Sequence, residues 1–135
     1  MMEPSPDQQD REDVALRLAA EQFNRGEFYA CHDSLEALWM EAIEPERRFY
    51  QGLLQTAVAY YHFNKGNRRG CMILLGEANG KLADYLPTYA GWDVLSLWRA
   101  NQNSLRHLSQ LPEGAPLPCL AIPTLGLLEN KTGNP

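Results

Sequence analysis

The sequence has no excess of positive charge. Twelve Lys and Arg stand against 17 Asp and Glu, for a formal net charge of −5. Sequence-independent binding to nucleic acid or to anionic lipid needs a basic footprint, so neither a nucleic acid nor a membrane is expected as partner. The basic cluster Lys65, Arg68 and Arg69 reads as a solvated helix start. Cysteine is scarce, odd in number and scattered at Cys31, Cys71 and Cys119. No Cys-x-x-Cys pair occurs, so a disulfide framework is not expected and a reducing, cytoplasmic location is. Cys31 and Cys71 sit among apolar residues, as small hydrophobes do. There is no apolar run of the roughly 18 residues that a membrane span requires. The opening "MMEPSPDQQDRED" lacks the basic start and apolar stretch of a signal peptide. Gly-x-Ser-x-Gly, a phosphate loop, a dinucleotide fingerprint and His-Glu-x-x-His are also missing, which removes the common hydrolase, nucleotide and zinc signatures.

What remains is the composition of a globular domain. The chain has 135 residues, 44% apolar and 21% charged, enough for one domain with a core. Its periodicity predicts an all-α, compact bundle of about five helices, arranged as paired hairpins. Residues 1–10, with Pro4 and Pro6, read as a flexible tail. The helical domain then spans 11–110, and an irregular Pro-rich strap spans 111–135.

The first helix starts after Asp7 or Asp10, carries Val14, Ala15, Leu18, Ala19 and Phe23 as its inward face, and ends at Gly26. The second runs from about Glu27 to Ile43. Phe28, Cys31, Leu35, Leu38 and Ala42 form one helical stripe, and His32, Glu36, Trp39 and Ile43 form a second beside it. Pro45 suits the first turn of the third helix, where its missing N–H costs nothing. That helix contains "GLLQTAVAYYHF", apolar nearly all round, as expected of a central helix. Asn67 caps a fourth, whose face is Cys71, Leu74, Leu75, Ala78, Leu82 and Tyr85. The fifth covers about Trp92 to Leu108, with Leu95, Trp98, Leu105 and Leu108 inward. Gly66, Gly70, Gly76 and Gly80 read as points of close helix packing. "APLPCLAIPTLGLL" is apolar but rich in Pro, so it is expected to lie extended across the bundle.

A weak internal repeat supports the hairpin reading. "FNRGEFYACHDSLEALW" from Phe23 and "FNKGNRRGCMILLGEAN" from Phe63 align at an offset of 40 residues. Phe, Asn, a basic residue and Gly match in order, then Cys31 matches Cys71 and Leu35 matches Leu75. Each copy is a helix end, a Gly turn and a new helix.

The candidate chemistry lies on the second and third helices. Residues three and four apart share a helix face, so His32, Glu36 and Trp39 align. Folding the two helices as an antiparallel hairpin sets position 36 near 52 and position 32 near 56. Gln51, Gln55 and His62 occupy one face of the third helix and would meet that stripe. A buried Glu demands donors, which His32 or Gln55 supplies. Three readings follow: a structural polar lock, a pocket for a small molecule or protein partner, and a metal or acid–base site. The pocket would be lined by Tyr29, Trp39, Tyr60 and Tyr61, with His32 and Glu36 as anchors. For a metal, His32, Glu36 and His62 fall short of the repeated Glu-x-x-His pattern and extra carboxylates of helical di-metal sites, so no metal ligand is assigned and no cofactor is required. The leading expectation is a binding or interaction module. The alternative is a metal-dependent or acid–base hydrolase with His32 as general base and Glu36 orienting it. Self-association as a homo-oligomer is a third class.

These residues resemble the bacterial and archaeal "domain of unknown function 309" family. Its His-x-x-x-Glu-x-x-Trp hallmark is matched by His32, Glu36 and Trp39, after an entry of Phe23, Gly26, Phe28 and Tyr29. "QGLLQTAVAYYHF" and "GNRRG" match its following helix and turn, and the likeness covers about residues 14–86. It implies an all-helical cytosolic domain and no established activity. It also marks His32, Glu36, Trp39, Gln51, Gly52, Gln55 and His62 as one site, without roles.

Overall fold

The computed structural model describes residues 6–127. Five helices run in order: α1 (Pro6–Asn24), α2 (Phe28–Glu41), α3 (Glu46–Asn64), α4 (Arg68–Leu82) and α5 (Val94–Ser109). A one-turn 3-10 segment, Ala83–Tyr85, follows α4, and a two-stranded antiparallel hairpin, β1 (Thr88–Tyr89) and β2 (Trp92–Asp93), leads into α5. The all-α bundle is therefore the observed architecture, with a small hairpin that periodicity did not reveal.

α3 is the central helix. It packs between α2 and α4, while α1 lies on α2 and α5 on α4. From Phe49 to Phe63 no residue of α3 is exposed, as its all-round apolar character requires. Phe23, Phe28 and Tyr60 join at ring-centroid distances of 5.1–6.1 Å. A second aromatic group, Phe49, Tyr85 and Tyr89, holds the far end.

The internal repeat is visible in three dimensions. Gly26 and Gly66 have φ of 79° and 78°, a conformation glycine adopts without steric cost. Their N–H groups donate to Phe23 O and Phe63 O at 2.9 and 3.0 Å. Cys31 and Cys71, and likewise Leu35 and Leu75, are all fully buried. Asn67 caps α4, its side chain accepting from Gly70 N at 2.9 Å.

Several expectations need correction. α1 begins at Pro6, so residues 6–10 of the expected tail are helical; Pro at the first position sacrifices no bond and Asp7 suits the dipole. Residues 1–5 and 128–135 lie outside the described residues. Val14 and Leu18 are 68% and 48% exposed; the inward row is Leu16, Ala19, Ala20 and Phe23. Both rows keep helical spacing, and the small Ala19 and Ala20 let α1 sit close to the bundle. In α5 the inward row is Val94, Leu97, Asn101, Ser104 and Leu108, with Leu95, Trp98 and Leu105 only half-buried. Gly76 and Gly80 face open space, so they do not mark close packing; Gly52 does, since a Cβ there would stand 2.9 Å from Leu82 Cδ2.

The buried polar residues of α5 are satisfied by a network that ties three helices. Tyr60 Oη donates to Asn101 Oδ1 (2.9 Å) or Ser104 Oγ (3.1 Å). Asn101 Nδ2 donates to Thr56 Oγ1 (3.3 Å) and Asn79 Oδ1 (3.1 Å). Asn79 Nδ2 reaches Trp98 O at 2.9 Å, and Trp98 Nε1 returns to Asn79 O at 3.2 Å. Arg68 clamps the end of α5 to the segment that follows it by donating to the carbonyls of Leu108, Leu111 (2.8 Å) and Pro112 (3.1 Å).

Residues 111–127, the described part of the strap, cross the bundle without a helix or named strand. Asn24 grips it in both directions: Nδ2 donates to Leu125 O (3.0 Å), and Leu125 N donates to Oδ1 (2.8 Å). Asp93 N donates to Gly126 O at 2.9 Å, and Trp92 pairs with Leu127. Leu125 is buried.

Candidate functional site

α2 and α3 are neighbours joined through Pro45, and Glu36 and Trp39 of the second stripe share a cavity with Gln51 and Gln55 of α3, while Ile43 lies beyond the end of α2 and is exposed. Between them lies a cavity of about 330 Å³, lined by Glu36, Trp39, Gln51, Leu54, Gln55, Val58 and Leu74. Four of the seven lining side chains are apolar, and the third wall comes from α4 through Leu74. Hairpin reasoning on two helices has no access to that wall.

The structure brings Glu36, Trp39, Gln51 and Gln55 together and leaves Tyr29, His32 and His62 off this cavity. His32 stands behind Glu36. Its Nε2 is 3.7 Å from Glu36 Oε2 and its Nδ1 3.3 Å from Asp33 Oδ1, without hydrogen-bond geometry at Nδ1. The expected hydrogen bond to Glu36 from His32 or Gln55 is not formed: 3.7 Å exceeds hydrogen-bond range, and Gln55 Nε2 instead donates to Glu77 Oε1 at 3.0 Å. Tyr29 is 60% exposed. It stacks obliquely on His32 and Tyr61, with centroids 5.8 and 5.6 Å apart. Tyr29 and Tyr61 line a different cleft of about 400 Å³ near Gly26 and Lys65. Tyr60, expected at a pocket wall, is fully buried with its hydroxyl in the Asn101 network. His62 sits by the α3 C-terminus, its Nδ1 3.4 Å from Asn67 Nδ2. Residues one apart on a helix point about 100° apart, so the Tyr60–Tyr61–His62 run divides among three surroundings.

Arg47 is a site residue that the motif does not announce. Its guanidinium carbon lies 4.2 Å from the Trp39 ring centroid, and Nη1 donates to Trp39 O at 3.3 Å. The pair combines a cation–π contact with a cation at the C-terminus of α2. Arg47 stands in the first turn of α3, four residues before Gln51, so the helical period sets it on the Gln51 and Gln55 face, while its meeting with Trp39 follows from the hairpin.

Two polar atoms of the lining residues have no hydrogen-bond partner among the described residues: Trp39 Nε1 and Gln55 Oε1, both screened from solvent. Their chemical sense is unambiguous. An indole N–H donates only, and with Nε2 committed to the Glu77 carboxylate, the remaining Gln55 atom is an acceptor. Among the described residues no three His, Cys, Asp or Glu side chains converge as a metal-binding group.

Fold and cavity together define a small all-helical domain of paired hairpins with a pocket at the junction of α2, α3 and α4. Residues 16–74 match the family model described as Domain of unknown function (DUF309), the family whose motif the chain resembles. The match runs from Leu16 in α1 to Leu74 in α4 and so contains every lining residue of the cavity. An uncharacterized protein of Aquifex aeolicus (strain VF5) is 36% identical over 58 residues, 42% of this chain. The match spans 17% of that relative's length. No helix among the described residues is long and apolar enough to cross a membrane.

Proposed function

We propose that this protein is a binding module that holds a small molecule in the cavity between α2, α3 and α4. The observation that carries this reading is the cavity itself. Its volume of about 330 Å³ falls in the range of small-ligand sites, which are mainly apolar with a few placed polar groups. Trp39, Leu54, Val58 and Leu74 provide the apolar walls, and Glu36, Gln51 and Gln55 provide the polar groups. The motif residues Glu36 and Trp39 thus face a space rather than filling the core. A hydrolase built on His32 and Glu36 lacks comparable support, because His32 does not line the cavity.

The test is an NMR screen of neutral small fragments against the isotope-labelled protein. Shifts should cluster on Trp39, Gln55, Val58 and Leu74 and vanish in Leu54→Trp, which fills the space. Shifts that cluster elsewhere, or that survive Leu54→Trp, would overturn the proposal.

A further inference from the structure

We propose that two copies of this chain pair through the outer face of α1, with the two helices antiparallel. α1 is an outer helix, packed on α2. Its buried residues Leu16, Ala19, Ala20 and Phe23 take the inward side. Opposite them runs a stripe of six exposed residues: Asp7, Arg11, Val14, Leu18, Glu21 and Arg25. Arg25 closes the last turn, its N–H donating to Glu21 O at 3.0 Å. The stripe steps by four, three, four, three and four, the spacing of a coiled-coil seam. At about 100° per residue, all six fall within about 40° of one line.

The order of the stripe identifies the partner. It reads acidic, basic, apolar, apolar, acidic, basic, and reversal turns each charge into its opposite. A second α1 running antiparallel, with the two-fold axis between Val14 and Leu18, therefore sets Asp7 opposite Arg25, Arg11 opposite Glu21 and Val14 opposite Leu18. Each pairing occurs twice, as an isologous contact requires. A parallel pair would set every charge against its own kind. Within one chain Glu21 and Arg25 already stand 3.3 Å apart, both exposed. Arg11 and Asp7 of the other copy extend that pair into a row of four alternating charges. Exposed ion pairs add little affinity; they fix orientation and register, while withdrawing Val14 and Leu18 from water supplies the attraction. Arg17 flanks the seam near the axis, on the side that also carries Asp10 and Asp13. Because the buried row lies on the far side of α1, the two bundles stand apart across the seam. Two apolar residues per copy make a small interface, so the dimer is weak and depends on concentration.

Sedimentation of the full chain over a range of concentrations tests this, on wild type, Leu18→Glu, Arg11→Glu and Arg11→Glu/Glu21→Arg. All three changes fall on exposed residues, and circular dichroism melting certifies folding. Leu18→Glu places a charge at the centre of the seam and should weaken association at least about tenfold. Arg11→Glu turns two attractive pairs into two repulsive ones and should weaken it by about tenfold. The double variant should regain wild-type affinity to within about threefold, because Glu at 11 then meets Arg at 21 of the other copy. A parallel pair would gain nothing from that exchange. A wild type that stays monomeric up to about 1 mM, the weak end of specific association, would overturn the pairing and leave this face to a different protein. A dimer that Leu18→Glu does not disturb lies on another face, and one that the double variant does not restore is not antiparallel; either result would overturn the proposal.

Discussion

Removing Asn101 should cost this protein more stability than its small side chain suggests. Asn101 is fully buried and central to the network joining α3, α4 and α5. In Asn101→Ala, Tyr60 keeps Ser104 as acceptor and Thr56 keeps the Gly52 carbonyl at 2.9 Å. Asn79 Oδ1 is the atom that suffers, since its donor is Asn101 Nδ2. An acceptor stranded in the interior costs about 1–3 kcal/mol, and the void left by the amide adds about 1 kcal/mol. The expected loss is thus about 3 kcal/mol, which for a domain of this size lowers the melting temperature by roughly 10 °C. Asn101→Leu restores the volume and isolates the polar share, at about 1–3 kcal/mol. Urea unfolding followed by circular dichroism is the assay, with the midpoint moving and the m-value constant. Asn103→Ala, on the exposed side of the same helix, should stay within about 0.5 kcal/mol of wild type. If Asn101→Leu equals the wild type in stability, the network contributes nothing and the reasoning fails.

Two further predictions concern the strap and the thiols. Asn24→Ala removes both bonds to Leu125 and should destabilise the protein by about 1–2 kcal/mol, with the Leu125 amide exchanging faster; unchanged exchange there would show that the strap is held by its apolar contacts instead. Burial pushes the Cys31 and Cys71 thiols up to about 12, while Cys119 is exposed, so a thiol reagent at pH 8 should label one cysteine quickly in the native protein and three after denaturation. Because these folded-state values lie above those of the unfolded chain, the stability they contribute is complete below the ordinary thiol pKa. It is lost as pH rises toward 12, so unfolding should become easier on the alkaline side of pH 9; alkaline stability that holds level to pH 12 would contradict that burial.

The sequence by itself determined the helices and how residues group on their faces. Pro45, Gly26 and Gly66 mark turns because each has a backbone preference that needs no tertiary support. The 3.6-residue period puts Glu36 beside Trp39 and Gln51 beside Gln55 wherever the helix goes. Tertiary structure decided what each face meets. On α1, Leu16 with Ala19 and Ala20 competes with Val14 and Leu18, and the smaller row wins because it permits closer approach to the bundle. On α5 the polar Asn101 and Ser104 turn inward because Tyr60, Thr56 and Asn79, distant in sequence, arrive to bond them. At the site, Leu74 comes from α4, Arg47 of α3 meets Trp39 across the turn, and Tyr29, His32 and His62 fall outside the cavity. Periodicity is a property of one helix, whereas a cavity wall and a satisfied hydrogen bond depend on how several helices are placed together.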